Sequence, residues 1–352
     1  MKNVILGTTA LVAVTALTAG SANAADKIKL NVGGYLQTSF VAASYDNDDR
    51  LPTNIRHEGE VHFTGSTTLD NGLKFGVNIQ LEARQDADQV DETFMFVEGS
   101  FGRINMGSEN SAAYLMHYAA PAPVVGFVLD DNNANASGLE GVVTSANATS
   151  DADKITYFSP RFSGFQFGAS YTPDSDWESG QDSPYSPLQA EGAGEEAYSL
   201  AANYVNTFNK VSIAASVGYE IVVEEGVGRD DDQQIAVGGQ IGYAGFTVGA
   251  GYKFTENDGG VADEDRHDLS VGVTYGQGPW TVGVQYARIE LDDASDGELD
   301  AIVVGGKYIL GPGVTAFGGV QFFEAEDDLE DNSVGGVGDS ATVFFVGTAL
   351  SF

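Results

Sequence analysis

The chain has no cysteine, and in 352 residues only 16 Lys and Arg against 51 Asp and Glu, two tryptophans and nine prolines. Without cysteine there is no disulfide framework, thiolate zinc site or cysteine nucleophile. A formal charge of −35 argues against a nucleic-acid partner, because affinity for a phosphate backbone rests on Lys and Arg. After residue 24 no apolar run reaches the roughly 18 residues that a membrane-spanning helix needs. What is present is 42% hydrophobic residues and 45 glycines, too much apolar material for a disordered acidic tail.

Residues 1–24 read as a signal peptide: Lys2 gives a basic start, residues 4–19 an apolar stretch, and Ala22-Asn23-Ala24 a small-residue cleavage site. Cleavage before Ala25 removes Lys2, leaving 15 bases (16 − 1) against 51 acids. The expected folded domain is 25–352, exported through the inner membrane.

Within it, alternation dominates. Phe246, Val248, Ala250, Tyr252 and Phe254 share one face while Thr247, Gly249, Gly251, Lys253 and Thr255 share the other. Residues 164–173, 210–220 and 279–287 repeat the pattern. Period two with one apolar face means β-strands, and counting every alternating run gives 16, from about 27–44 to 340–352. An even count returns both termini to one end, as a closed meander requires.

The connections alternate in character. Leu69-Asp70-Asn71-Gly72, Tyr243-Ala244-Gly245 and Gly311-Pro312-Gly313 are tight-turn sequences, whereas Glu224–Asp232, Glu256–Asp268, Glu290–Asp300 and Glu324–Asp339 are longer and acidic. All acids except Asp26, Glu58, Glu60, Asp70, Glu82 and Glu98 fall in long loops or at their shoulders. Aromatics bracket the strands, with Phe208, Tyr243, Phe246, Trp280 and Tyr308 at the short-turn end and Tyr171, Tyr198, Tyr252, Tyr286 and Phe322 at the other. The pattern predicts an all-β fold: a closed antiparallel transmembrane β-barrel of 16 strands, with short periplasmic turns and long acidic external loops. The last run alternates Phe344, Val346, Thr348, Leu350 and Phe352 and stops on the aromatic. It resembles the terminal strand by which Gram-negative outer-membrane barrels are recognised for insertion.

Three blocks resemble the Gram-negative general porins, in the α-proteobacterial branch. They are Ser66-Thr67-Thr68-Leu69-Asp70-Asn71-Gly72-Leu73, Gly99-Ser100-Phe101-Gly102-Arg103-Ile104-Asn105-Met106-Gly107, and Tyr157-Phe158-Ser159-Pro160-Arg161-Phe162-Ser163-Gly164-Phe165-Gln166-Phe167. The resemblance implies an outer-membrane homotrimer passing small hydrophilic solutes by passive diffusion. It also implies trimer contacts from strands near both termini and from the second loop, Gln85 to Asp91.

Between Gly107 and Asp153 alternation stops for about 45 residues, a length usually functional or disordered. In the family this third loop folds into the lumen and narrows it. The apolar stretch Val124–Leu129 would then pack on the inner wall, and Asp130, Asp131 and Glu140 would form the acidic side of the constriction. Alternation turns Arg56, Lys74, Arg84 and Arg103 inward on consecutive wall strands. There they either set up a transverse field against the loop acids or pair with Glu58, Glu60 and Glu82. A base on the lipid face near the midplane would cost about 2–4 kcal/mol.

Little points to an enzyme: the histidines 57, 62, 117 and 267 lack metal-ligand spacing, and no nucleophile elbow, P-loop or dinucleotide motif occurs. No cofactor is expected. Acid runs such as Asp46-Asn47-Asp48-Asp49, Asp230-Asp231-Asp232 and Glu326-Asp327-Asp328 suit structural Ca²⁺ or Mg²⁺ or plain solvation. The reading is a cation-preferring porin in contact with outer-membrane lipid and lipopolysaccharide. The alternatives are a substrate-specific channel for sugars or dicarboxylates, and a non-conducting barrel acting as an adhesin or envelope tether.

Overall fold

The computed structural model describes residues 27–46, 51–83, 89–130, 141–175, 194–224, 228–262, 264–292, 297–326 and 339–352. The expected signal peptide lies outside them. The strands are β1 (Asn31–Tyr45), β2 (Thr53–Thr68), β3 (Lys74–Glu82), β4 (Val90–Gly99), β5 (Gly102–Ser108), β6 (Asp153–Phe158), β7 (Phe165–Thr172) and β8 (Gly194–Phe208). They continue as β9 (Val211–Glu224), β10 (Asp232–Tyr243), β11 (Phe246–Glu256), β12 (Asp265–Gln277), β13 (Trp280–Asp292), β14 (Glu298–Gly311), β15 (Val314–Glu326) and β16 (Ser340–Ser351). Each pairs antiparallel with the next, and β1 closes on β16 from Tyr35↔Ser351 to Tyr45↔Ala341. The 16-stranded closed barrel expected from alternation is the fold. Among the described residues no helix is long and apolar enough to cross a membrane.

The short connections are built as their residues suggest. Between β10 and β11, Ala244 and Gly245 both take positive φ, +51° and +90°, the twist a two-residue hairpin needs. The β14–β15 turn puts Gly313 at φ +69°.

The outward face is apolar and exposed, as Phe344 at 58% and Val346 at 62% illustrate; a soluble protein would cover such residues. Cross-strand aromatic pairs ring it at two levels. At the short-turn end Phe165 meets Tyr204 at 4.7 Å, Phe246 meets Tyr275 at 4.6 Å and Trp280 meets Tyr308 at 4.4 Å between centroids. At the long-loop end Tyr171 meets Tyr198 at 5.3 Å. Amphipathic rings at both edges of an apolar belt suit a bilayer's two interfaces.

Candidate pore constriction

The inward face is not uniformly polar. On β14 Leu299, Ala301 and Val303 point inward and are buried, while Ile302 and Val304 point outward and are exposed. Buried residues of β13 to β16 and β1, including Ile289, Phe317, Phe323, Val343 and Phe345, form a cluster with Val124, Phe127, Leu129 and Val142 of the β5–β6 loop. The loop therefore enters the barrel, and the apolar stretch expected to pack on the inner wall does so. Phe127 stacks on Phe345 with centroids 4.0 Å apart and planes at 1°.

Polar groups of the wall satisfy the loop backbone along its path. A short helix, α1 (Ala112–Leu115), is capped by Ser111. Its Ala112 and Ala113 N–H groups donate to Ser170 and Ser199 Oγ at 2.8 and 3.0 Å. Farther along, Tyr118 N–H donates to Ser216 Oγ at 2.9 Å, Leu129 N–H donates to Gln285 Oε1 at 3.0 Å, and Gln321 Nε2 donates to the Phe127 carbonyl at 3.0 Å. Inward glycines make room for this close approach. A methyl at Gly238 would collide with the Tyr118 carbonyl, and one at Gly251 with Thr144 Oγ1. Unmet backbone groups would be costly in this confined space, so the wall reads as a fitted bed.

Buried charges fasten the loop further. Glu220 on β9, fully buried, accepts from Ser111 Oγ at 2.5 Å and from Thr149 N–H and Oγ1 at 3.0 and 2.8 Å, joining the loop's two legs. Asp268 on β12, also fully buried, accepts from Val143 N–H at 3.2 Å while ion-paired to Lys253 at 3.3 Å and Arg266 at 2.9 Å. Lys154, at the start of β6, donates to the carbonyls of Ser150 at 2.8 Å, Ala152 at 2.5 Å and Glu109. One ammonium thus ties both ends of the loop.

Of the expected loop acids, Asp130 is engaged with this bed: it accepts from Thr144 N–H at 2.8 Å, Thr144 Oγ1 at 2.5 Å and Ser270 Oγ at 2.6 Å. Asp131, Glu140 and the wall residue Arg84 lie outside the described residues, as do residues 85–88 of the second loop. Sequence reasoning missed Glu109, Glu220, Asp268 and Lys154. Glu109 accepts two 2.7 Å bonds from Asn105 Nδ2. Burial pushes its carboxyl up to about 7, against the pull of those bonds and of Arg103 and Lys154. Burial also holds the His117 imidazole below its ordinary value; Asp130 opposes this shift and Lys253 adds to it.

The wall left open to the lumen is β2 to β5, where Arg56, Lys74 and Arg103 stand. Arg56 lies 5.5 Å from the Phe127 ring, so the loop tip reaches β2. Lys74, Glu98 and Arg103 form one register row, Lys74↔Glu98↔Arg103. Lys74 sits 3.9 Å from Glu98, and both bases approach the Phe96 ring, Arg103 at 3.9 Å and Lys74 at 5.5 Å. Arg56 does not share that level. Lys74 pairs with Thr68, which is 12 residues (68 − 56) from Arg56 along β2, or about 40 Å at ~3.3 Å per residue.

Between these levels the wall is acidic. Tyr35 Oη donates to Glu60 at 2.8 Å and Glu58 at 3.1 Å, and His62 pairs with Glu60 at 2.6 Å. The β3–β4 register shifts between Ile79 and Leu81, and carboxylate oxygens of Glu60, Glu82 and Asp91 come within 4.8 Å of one another. Such oxygens suit Ca²⁺ or Mg²⁺. In the acidic run 230–232, Asp231 accepts from Glu224 N–H at 3.1 Å and Asp232 from Gly259 N–H at 3.3 Å. Of the other two acid runs, Asn47, Asp48, Asp49, Asp327 and Asp328 lie outside the described residues.

A closed barrel with an apolar outer belt, two aromatic levels and a loop bound across its interior is a membrane channel of the porin class. A family profile described as Gram-negative porin matches residues 7–328. The chain belongs to that family and is an outer-membrane protein. Solved structures share the fold. An anion-selective porin from Comamonas acidovorans matches at TM-score 0.65 and 17% identity, over 93% of this chain and 100% of that one. A loop-deletion mutant of the Vibrio cholerae outer-membrane protein OmpT matches at 0.60 and 14%, over 93% and 100%. A triple mutant of Rhodopseudomonas blastica porin matches at 0.56 and 18%, over 92% and 100%. No curated protein sequence matches the chain. Family and fold are those of channels and not of enzymes.

Proposed function

We propose that the mature chain, after loss of residues 1–24, is a passive diffusion channel for small hydrophilic solutes with a preference for cations. The observation that carries this reading is the bound loop, which coats the inner wall from β7 round to β1 and leaves β2 to β5 facing the remaining space. Short turns face the periplasm and long loops the exterior, beside lipopolysaccharide. The family suggests a homotrimer.

Charge supports the cation preference. Fixed charge of one sign concentrates its counter-ions, and the open wall carries Glu58, Glu60, Glu82 and Asp91 between its bases. The Comamonas porin is anion-selective on the same fold, so a cation preference here would rest on this chain's own side chains. Reversal potentials across a KCl gradient in planar bilayers test this. Cation preference that weakens as salt shortens the screening length is expected. Anion preference at every salt would overturn the selectivity, and a folded barrel carrying no current would overturn the pore and favour a structural role.

A further inference from the structure

The charges inside the barrel are sorted along its axis. At the short-turn end Lys74 and Arg103 share one register row on β3 and β5. Across the lumen on β14, Lys307 lies beside Phe317 of β15, and since cross-strand neighbours share a face, the buried Phe317 fixes Lys307 as inward. Among the described residues it has no ion pair or hydrogen bond. Arg161 and Lys210 add charge in the turns that follow β6 and β8. The acids at this end, among the described residues, are Asp70 and Glu98.

Toward the long-loop end the order reverses. Glu58, Glu60, Glu82 and Asp91 cluster on β2 to β4, whereas Glu109 is joined through Asn105 to Arg103 and belongs to neither zone. Toward this end the inward-facing bases among the described residues are Arg56, Lys154, Lys253 and Arg266, and the last two are ion-paired to the fully buried Asp268. Arg56 sits against Phe127, and Lys154 is enclosed by three carbonyls.

From this arrangement we infer that the lumen is a bipolar conductor, with a cation-rich zone at the long-loop end and an anion-rich zone at the short-turn end, and that it rectifies ionic current. The inference rests on the pore reading above. When the long-loop side is made positive, the field drives cations out of the acidic zone and anions out of the basic zone toward the same middle. Both carriers accumulate there and conductance rises. With the opposite polarity both are drawn apart, the middle is depleted, and conductance falls. Fixed potentials near the surface reach several kT. One kT in each zone changes local carrier density about threefold, so an asymmetry of roughly twofold between polarities is expected.

The test uses the purified full-length mature protein, inserted from one side into planar bilayers with equal KCl on both sides. At about 0.1 M salt, where screening extends ~10 Å, the current should be about twofold larger with the long-loop side positive. The asymmetry should vanish near 1 M, where screening falls to ~3 Å. The triple variant Lys74→Gln, Arg103→Gln, Lys307→Gln should conduct symmetrically at low salt. Should that variant fail to fold, Lys307→Gln alone removes a base with no described partner and should reduce the asymmetry. A conducting wild-type channel with a symmetric current–voltage curve at low salt overturns the inference while leaving the pore intact. Absence of current from folded protein overturns the pore and the inference together.

Discussion

Phe127 lies flat on Phe345, ring against ring at 4.0 Å, inside a barrel whose outer surface is also apolar. This pair is where the bound loop meets the last strand.

Phe127→Ala removes the stack and leaves a cavity in the cluster of β14 to β16. Burial of this kind is worth about 3–5 kcal/mol. The loss falls on the loop, because strand pairing does not pass through Phe127. Single-channel conductance should rise, with heat-modifiable gel migration unchanged. Wild-type conductance in Phe127→Ala would mean that the loop does not set the aperture.

Glu220→Ala strips three acceptor contacts from Ser111 and Thr149. Unsatisfied buried partners cost about 1–3 kcal/mol each, so the two loop legs should separate. Limited proteolysis from the long-loop side should then cut between residues 109 and 152 at least tenfold faster than in wild type, roughly the factor for 1.4 kcal/mol of opening.

Lys154→Met preserves length but removes the ammonium that ties Glu109 to Ser150 and Ala152. Open-channel current should become noisy, with frequent sub-conductance steps. Lys154→Arg, which keeps charge and donors, should be quieter than the methionine variant; equal noise in both would point to a packing defect in place of lost hydrogen bonds.

Glu109 supplies the pH dependence. Its carboxyl titrates near 7 in the folded protein against an ordinary value of 4.5. A raised acid binds its proton more tightly when folded, so stability falls as pH rises from about 4.5 through about 7 and the penalty is complete above that. The charge itself appears as pH climbs through about 7, so cation preference should increase from about pH 6 to about pH 8. Glu109→Gln should flatten that rise; an unchanged profile would assign it to other groups.

The barrel was legible because period two survives along whole strands. Residues 232–243, taken from alternation, are β10 to the residue, and the closing run 340–352 is β16 within one. The interior was legible only in part. Alternation placed Arg56, Lys74 and Arg103 inward but could not place them at one level, which depends on pairing register. The apolar stretch at 124–129 announced a packing segment, whereas its partner surface was missed. A signal for it exists: Ala301-Ile302-Val303-Val304 and Val343-Phe344-Phe345-Val346 are apolar on both faces, the mark of strands covered on both sides. Glu220 and Asp268 resembled the solvated acids beside them, because a lone carboxylate carries no sequence mark of burial. Asp130 lies in the β5–β6 loop, and its hydrogen bonds to Thr144 and Ser270 join residues 14 and 140 positions away, a pairing alternation does not reveal.

The two-sided apolar character of β13 to β16 has a mechanical consequence. If the loop swung free, it would bare Leu299, Val303, Phe317 and Phe345 to water in the lumen as well as its own Phe127 and Val124. Each large side chain so exposed opposes the motion by about 1.5–3 kcal/mol. The loop is then less a door than a cast lining, and permeability is adjusted by changing which side chains border the gap and not by opening it.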